Sequence, residues 1–204
     1  MQTETTLVGH YFLPIVLDFQ GVLEKMTDDE FENLCRRNPD LQIELTKEGE
    51  LVIMPPTGGE TGIRNFSLIG YFFNWVETDQ SGVAFDSSTL FILPNGAKRS
   101  PDLAWVKKEK WDALSEEEKK KFPAFCPDFV VELRSPSDLP SNLRAKMEEY
   151  IENGAALGWL IDPLERTVYV YRPDKEVEIL ENPESVSGEP ELKNFTLKME
   201  KIWS

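Results

Sequence analysis

The sequence predicts a mixed α/β fold whose central sheet contains both parallel and antiparallel strands. Apolar runs of strand length outnumber the segments with helical periodicity along the 204 residues. The run at 129–134 is followed by a helical segment and a second run at 157–161, the βαβ pattern that joins parallel strands. Residues 1–20 have no clear period, and residues 1–26 are expected to be an N-terminal extension to a single domain at 27–204.

A short helix and a hairpin begin the predicted domain. Thr27 and Glu30 form a capping box, and the helix that it starts is expected to end before Pro39. Apolar and polar residues then alternate over 41–54, which predicts a hairpin that turns at Glu48-Gly49.

A longer helix is predicted from 63 to 78, because apolar residues recur three and four positions apart. We expect its buried face to consist of Ile63, Phe66, Ile69, Gly70, Phe73 and Val76. Strands at 83–93 and 100–106 flank the turn residues Pro94-Asn95-Gly96, so we expect them to pair antiparallel. The charged segment 107–121 is predicted to be helical.

The last third of the chain contains the βαβ unit and a final hairpin. A continuous apolar run predicts a strand that is buried on both faces. The predicted strands are 129–134, 157–161, 167–171, 177–180 and a weak one at 192–197, and the predicted helix is 143–153, stopped by Gly154.

The composition narrows the classes of function. The net charge of −15 argues against a strong phosphate-binding surface, although residues 98–146 hold 11 of the 22 cations and 9 of the 37 acids. No apolar run has the length of a membrane span, and no secretory signal is visible, so we expect a cytoplasmic protein without a membrane partner. Cys35 and Cys126 make no disulfide framework, and His10 as the single histidine argues against Ser-His-Asp or Cys-His catalysis.

Two acids in predicted strands are the main candidates for chemistry. Glu132 interrupts a buried apolar run, which is costly unless another group pairs with it. Asp102 lies two residues into the strand predicted at 100–106. If the two strands are neighbours, the carboxylates converge, and they would then shift in pKa or bind a cation such as Mg²⁺ or Mn²⁺.

Three further residues are candidates beside this pair. Arg134 points to the same side of its strand as Glu132, but a guanidinium cannot act as a base. Lys146 lies on or beside the inward side of its helix, where it can either reach the acids or extend to solvent. Glu44 alternates with apolar residues on the predicted hairpin, and that spacing by itself predicts an exposed position.

Several motifs together resemble the Uma-two family (DUF820), a set of restriction-endonuclease-like proteins in the PD-(D/E)xK nuclease superfamily. The resemblance covers about residues 27–173. Its strongest pieces are Ser100-Pro101-Asp102, Pro127 to Asp138, Lys146 to Tyr150, Gly158 to Pro163, and the Pro56 to Gly62 loop. Together these motifs are a specific signal for the family, whereas each motif alone is a weak signal.

The resemblance implies a restriction-endonuclease-like core, a mixed central sheet flanked by helices, here with extra β-hairpins. It implies that Asp102 is the first acid of the motif and Glu132 the second, and that both bind Mg²⁺ or Mn²⁺. The residue two positions after Glu132 is Arg134 instead of the usual lysine, and Lys146 on the next helix takes the lysine's place. Glu44 is then expected to be a further metal ligand. Arg134 is expected to bind substrate, and pairing with an acid or a structural role are its alternatives.

The function that follows is a metal-dependent endonuclease, and hence a hydrolase, acting on DNA. The acidic composition leaves a second interpretation open, a non-catalytic binding or regulatory module on a nuclease-type fold. A homodimer is expected, since cleavage of two strands needs two sites.

Overall fold

A six-stranded sheet forms the centre of the structure, a computed structural model that describes residues 7–8, 11–18 and 26–204. Numbered along the chain and listed from one edge to the other, its strands are β13 (Glu178–Glu181), β12 (Thr167–Tyr171), β11 (Leu157–Asp162), β10 (Phe129–Leu133), β9 (Leu103–Lys107) and β6 (Gly82–Asp86). β10 and β11 run parallel, and the other neighbouring pairs are antiparallel. The predicted mixed sheet is therefore confirmed.

The predicted βαβ unit is present, with helix α4 (Pro140–Glu152) between the two parallel strands. The helix begins three residues earlier than predicted because Pro140 suits the first turn, where its missing N–H has no partner to lose. Alternation along β10 sends Phe129, Val131 and Leu133 to one core, while Val130 packs in a second core with Met147 of α4. Glu132, two residues after Val130, consequently faces α4.

A second, antiparallel sheet lies beside the first. In spatial order its strands are β3 (Ile15–Asp18), β5 (Glu50–Met54), β4 (Gln42–Leu45), β8 (Lys98–Arg99) and β7 (Phe91–Ile92). Helix α1 (Asp28–Arg37) buries Phe31 against this sheet and starts with the predicted capping box, in which Thr27 N–H donates to Glu30 at 2.8 Å. The predicted hairpin at 41–54 is confirmed as β4 and β5.

Part of the predicted N-terminal extension also belongs to this sheet. Its segment β3 pairs with β5. The strands β1 (Leu7–Val8) and β2 (Tyr11–Phe12) pair with each other in a separate two-stranded sheet. His10 lies outside the described residues.

The single strand predicted at 83–93 is wrong, because the chain leaves one sheet at Asp86 and enters the other at β7. The Asp86 side chain accepts the N–H of Ser88 at 3.1 Å, and this local turn competes with strand pairing. The return strand also starts late, so that Asp102 directly precedes β9 instead of lying inside a strand.

Helix α2 (Gly59–Asp79) is longer than predicted, and of the apolar side chains predicted for its buried face only Ile69 and Val76 pack against the core. Leu68 and Phe72 point into the core, whereas Ile63, Phe66 and Phe73 are 63%, 80% and 58% exposed. The helix has apolar residues on two sides, so periodicity alone could not select one. Packing selects it, since the Phe72 ring lies 5.7 Å from that of Phe129 on the sheet.

The remaining elements are short. They are α3 (Lys108–Asp112), a 3₁₀ helix (Glu118–Lys120), the paired strands β14 (Ser185–Ser187) and β15 (Thr196–Lys198), and α5 (Glu200–Trp203). The helix predicted over 107–121 is thus two short helices, and the weak strand predicted at 192–197 begins only at Thr196. Within the described part of the chain, no helix combines the length and the apolar character needed to cross a membrane.

Candidate functional site

Asp102 and Glu132 lie opposite each other at one end of the β9–β10 pairing. The register joins Val131 to Leu103, and continuing it by one residue brings Glu132 opposite Asp102. The backbone N–H of Leu133 donates to Asp102 Oδ2 at 2.7 Å, which fixes the carboxylate at the strand end. The convergence predicted from the sequence is therefore present in the structure.

Both carboxyl groups hold their protons more tightly than usual. Burial raises the pKa of Asp102 to about 6, although the Leu133 N–H and the charge of Lys146 oppose this change. Burial also raises the pKa of Glu132 to about 8 against the attraction of Lys146, and the carboxylates of Asp102 and Glu44 contribute to the increase. Lys146 therefore does not fully offset the cost of ionising Asp102 and Glu132 in this buried place. A further cation bound here would favour the ionised form of both carboxyl groups.

Lys146 reaches the acids instead of extending to solvent. Its Nζ lies 2.8 Å from Glu44 Oε1 and 2.9 Å from Glu132 Oε1, and its side chain is 11% exposed. Burial alone would favour the neutral amine, but the charges of Glu132 and Glu44 raise the pKa of Lys146 above its ordinary value. Lys146 is therefore an ammonium at neutral pH, so it can donate hydrogen bonds but cannot accept a proton.

Glu44 is buried, which excludes the exposed hairpin position that its spacing allowed. It comes from β4 in the second sheet and accepts the Ser100 N–H at 2.8 Å and Arg99 at 3.3 Å, in addition to Lys146. Burial would raise the pKa of Glu44, but Lys146 and Arg99 together lower it. Glu44 is thus an ionised anchor that holds Lys146 beside Glu132.

Other contacts in the cluster were not predicted from the sequence. Arg99 Nε donates to Glu149 Oε2 at 2.6 Å, and the Tyr150 hydroxyl donates to Glu132 Oε1 at 3.0 Å. Asn65 Nδ2 from α2 lies 3.5 Å from Asp102 Oδ1. Glu149 and Tyr150 follow Lys146 by three and four positions, a helical spacing that could have indicated their shared face. No comparable local signal identified Asn65.

With this geometry in place, comparison with known proteins gives the family. A family model named Uma2 (the Uma-two family), described as "Putative restriction endonuclease", matches residues 28–200.

This chain belongs to the Uma2 family.

The fold is also found in a solved structure. A crystal structure titled as a "putative nuclease belonging to DUF820" from Anabaena variabilis superimposes with a TM-score of 0.72 and 24% sequence identity. The alignment covers 87% of this chain and 97% of that chain. No curated protein matches the sequence. The predicted restriction-endonuclease-like fold is therefore confirmed.

Arg134 of this Uma2 family member has a carboxylate partner of its own. Its NH1 group donates to Asp162 Oδ2 at 2.7 Å, and Asp162 Oδ1 accepts the N–H groups of Leu164 and Glu165. This pair accounts for the charge of Arg134 and ties β10 to the end of β11. The substrate-binding role of Arg134 stays a prediction.

The acids fit a divalent cation as a pair. Two carboxylates, Asp102 and Glu132, suit a hard ion such as Mg²⁺, which commonly uses one or two protein carboxylates and retains water. Glu44 is instead bonded to Lys146 and Arg99, and its role as a metal ligand stays a prediction. Among the described residues, no three or more Asp, Glu, His or Cys side chains are arranged to hold a metal ion.

Proposed function

We propose that this Uma2 family member is a divalent-metal-dependent endonuclease that hydrolyses phosphodiester bonds of DNA. The observation that carries the proposal is the contact of the Lys146 ammonium with Glu132, which lies opposite Asp102. Two acids and a lysine, from separate segments of the chain, meet at one strand end. The family description and the fold supply the reaction class.

In the proposed site, Asp102 and Glu132 hold Mg²⁺ or Mn²⁺, which when bound activates water and neutralises charge on the phosphate. Asn65 and the Leu133 N–H orient Asp102 through its two oxygens. Tyr150 orients Glu132 through its hydroxyl. These contacts hold the carboxylates in place before substrate arrives, which reduces the reorganisation needed during the reaction.

Lys146 acts in this proposal as a fixed positive charge. Because its pKa is raised, it keeps its proton and stabilises the negative charge that develops on the phosphate. Glu44 holds the ammonium at 2.8 Å, and Arg99 balances the charge of Glu44. Glu44 is therefore proposed to position Lys146, whichever oxygen of the substrate Lys146 contacts.

Three further features belong to the proposal. The substrate is DNA that approaches the segment 98–146, which has a net charge of +2 in a chain of −15. The protein is cytoplasmic, where the free thiols of Cys35 and Cys126 remain reduced. It acts as a homodimer, because cutting both strands of a duplex takes two sites.

Plasmid cleavage with Mg²⁺ or Mn²⁺ tests the proposal. We expect Asp102→Asn and Glu132→Gln to lower the rate at least about 100-fold, in line with the loss of a group that stabilises the transition state. Asp112→Asn, which changes an exposed acid, is the matched control and should cleave like the wild type.

Calorimetric titration with Mn²⁺ adds a readout that is independent of cleavage. The wild type should bind the ion, and Asp102→Asn should bind it weakly or not at all. Cleavage that survives both acid substitutions would overturn the proposal. Binding of DNA by a protein that neither binds Mn²⁺ nor cuts would support the non-catalytic module instead.

A further inference from the structure

One face of α2 is exposed from the first turn of the helix to the last. Its members follow each other at alternating spacings of four and three residues, which is how one helix packs along another. In order they are Gly59, Ile63, Phe66, Gly70, Phe73 and Glu77, and each is exposed. We refer to these six residues as the α2 seam.

The apolar members of the seam are not needed to build the monomer. The opposite side of the helix already packs on the sheet through Leu68 and Phe72. Phe66, at 80%, is the most exposed of the large apolar side chains in the described part of the chain, followed by Ile63 at 63%. A contiguous apolar patch of this kind marks a surface that binds a partner.

The seam is complementary to a second copy of itself. When two α2 helices run antiparallel about a two-fold axis at the level of residue 68, Phe66 of one lies opposite Gly70 of the other, and Ile63 opposite Phe73. Each pair then occurs twice, as a two-fold interface requires. Apart from the adjacent residues and the backbone of α2 itself, no described atom lies within 4 Å of the point where a side chain on Gly70 would begin, so the glycine leaves space for the ring.

The charges at the ends of the seam agree with this register. Glu77 in the last turn of one helix lies opposite Gly59 in the first turn of the other. Gly58, at the N-cap, has no side chain to bond the free N–H groups of that turn, and the helix dipole favours an acid at this end. The charge of Glu60 in the same turn is paired with Arg64 at 3.5 Å. A parallel arrangement would instead place Glu77 beside Glu77, where like charges repel.

We propose that a second copy of this chain docks on the α2 seam, with the two α2 helices antiparallel. The proposal gives the homodimer under Proposed function a specific interface, and it does not depend on nuclease activity. Asn65, on the flank of the same helix, contacts Asp102. The interface therefore lies beside both candidate sites.

Sedimentation velocity over a concentration series tests the interface. Phe66→Glu is expected to raise the dimer dissociation constant about 100-fold or more, because a buried aromatic anchor is lost twice. Ile179→Glu is the matched control, since Ile179 is 57% exposed on strand β13, away from the seam. It should leave the dissociation constant unchanged.

Gly70→Leu separates an effect on assembly from an effect on folding. Leucine favours the helix more than glycine does, and the monomer has room for it. At protein concentrations where the wild type is also monomeric, the variant should therefore unfold at a higher urea concentration than the wild type. It should nevertheless fail to dimerise, because its side chain fills the space for Phe66. The double substitution Phe66→Gly with Gly70→Phe moves the aromatic ring to position 70 and the space that receives it to position 66, so it should restore the dimer.

Two results would overturn the interface. If the wild-type protein stays monomeric at every concentration, there is no dimer and the interface is wrong. The cleavage assays then test the nuclease proposal separately. A wild-type dimer that persists in both Phe66→Glu and Gly70→Leu shows that the chain dimerises through another surface.

Discussion

Replacing Glu132 with Gln is expected to stabilise the metal-free protein in alkaline solution, although it removes a proposed metal ligand. Glu132 Oε1 accepts hydrogen bonds from Tyr150 at 3.0 Å and from Lys146 at 2.9 Å. A glutamine oxygen in the same place can accept both. The substitution therefore removes the ionisable group with little change in packing.

The expected gain follows from the pKa of Glu132, which is about 8 in the folded protein against 4.5 for an ordinary glutamate. At about 1.36 kcal/mol per pKa unit, ionising the buried carboxyl costs roughly 5 kcal/mol of unfolding free energy. Between these two pKa values the folded state keeps the proton and the unfolded state loses it, so stability falls as the pH rises. Glutamine cannot ionise and escapes this loss.

Urea unfolding in EDTA, followed by tryptophan fluorescence, measures the difference. At about pH 9 the variant should be more stable by up to roughly 5 kcal/mol, and at about pH 5 the two proteins should agree within about 1 kcal/mol. Asp102, whose pKa is also raised, is present in both proteins and cancels from the comparison to first order. Glu48→Gln, at an exposed site, is the control.

Adding Mn²⁺ gives the second arm of the experiment. A ligand that binds only the folded state stabilises it, so the ion should raise the unfolding free energy of the wild type more than that of the variant. Equal pH dependence in the two proteins would refute the reasoning about Glu132. So would a variant that is less stable than the wild type at about pH 9.

Three other substitutions test separate contacts by urea unfolding. At neutral pH, Lys146→Met removes the cation shared by Glu44 and Glu132 but leaves Glu44 paired with Arg99, so it should cost about 1–3 kcal/mol, whereas Lys175→Met on the surface should change stability by less than about 0.5 kcal/mol. Arg134→Ala leaves the carboxylate of its buried partner unpaired and should cost about 3 kcal/mol; unchanged stability would show that the pair is not structural. Thr27→Ala removes a helix cap and should cost about 1 kcal/mol at neutral pH.

Much of the fold could be predicted because its signals are local. The capping box at Thr27 and the hairpin turn at Gly49 depend on residues only a few positions apart, and both are found where the sequence indicates. The βαβ unit follows from a continuous apolar run, a helical period and a second run. The predicted strands also pointed to the pair Asp102 and Glu132, to which the motif resemblance gave a metal-binding role, and the strand register brings the two residues opposite each other.

The sequence by itself thus determined the mixed α/β fold, most element positions and the residue types that could carry chemistry. The tertiary structure decided where long side chains point and which apolar face is buried. From spacing alone Lys146 could extend to solvent or bind the acids, and its choice depends on Glu44, which arrives 102 positions away from another sheet. Helix α2 is apolar on two sides, so only its packing on the sheet could show that Phe66 stays exposed. Local periods describe neighbours along the chain, whereas these contacts depend on strand order and register.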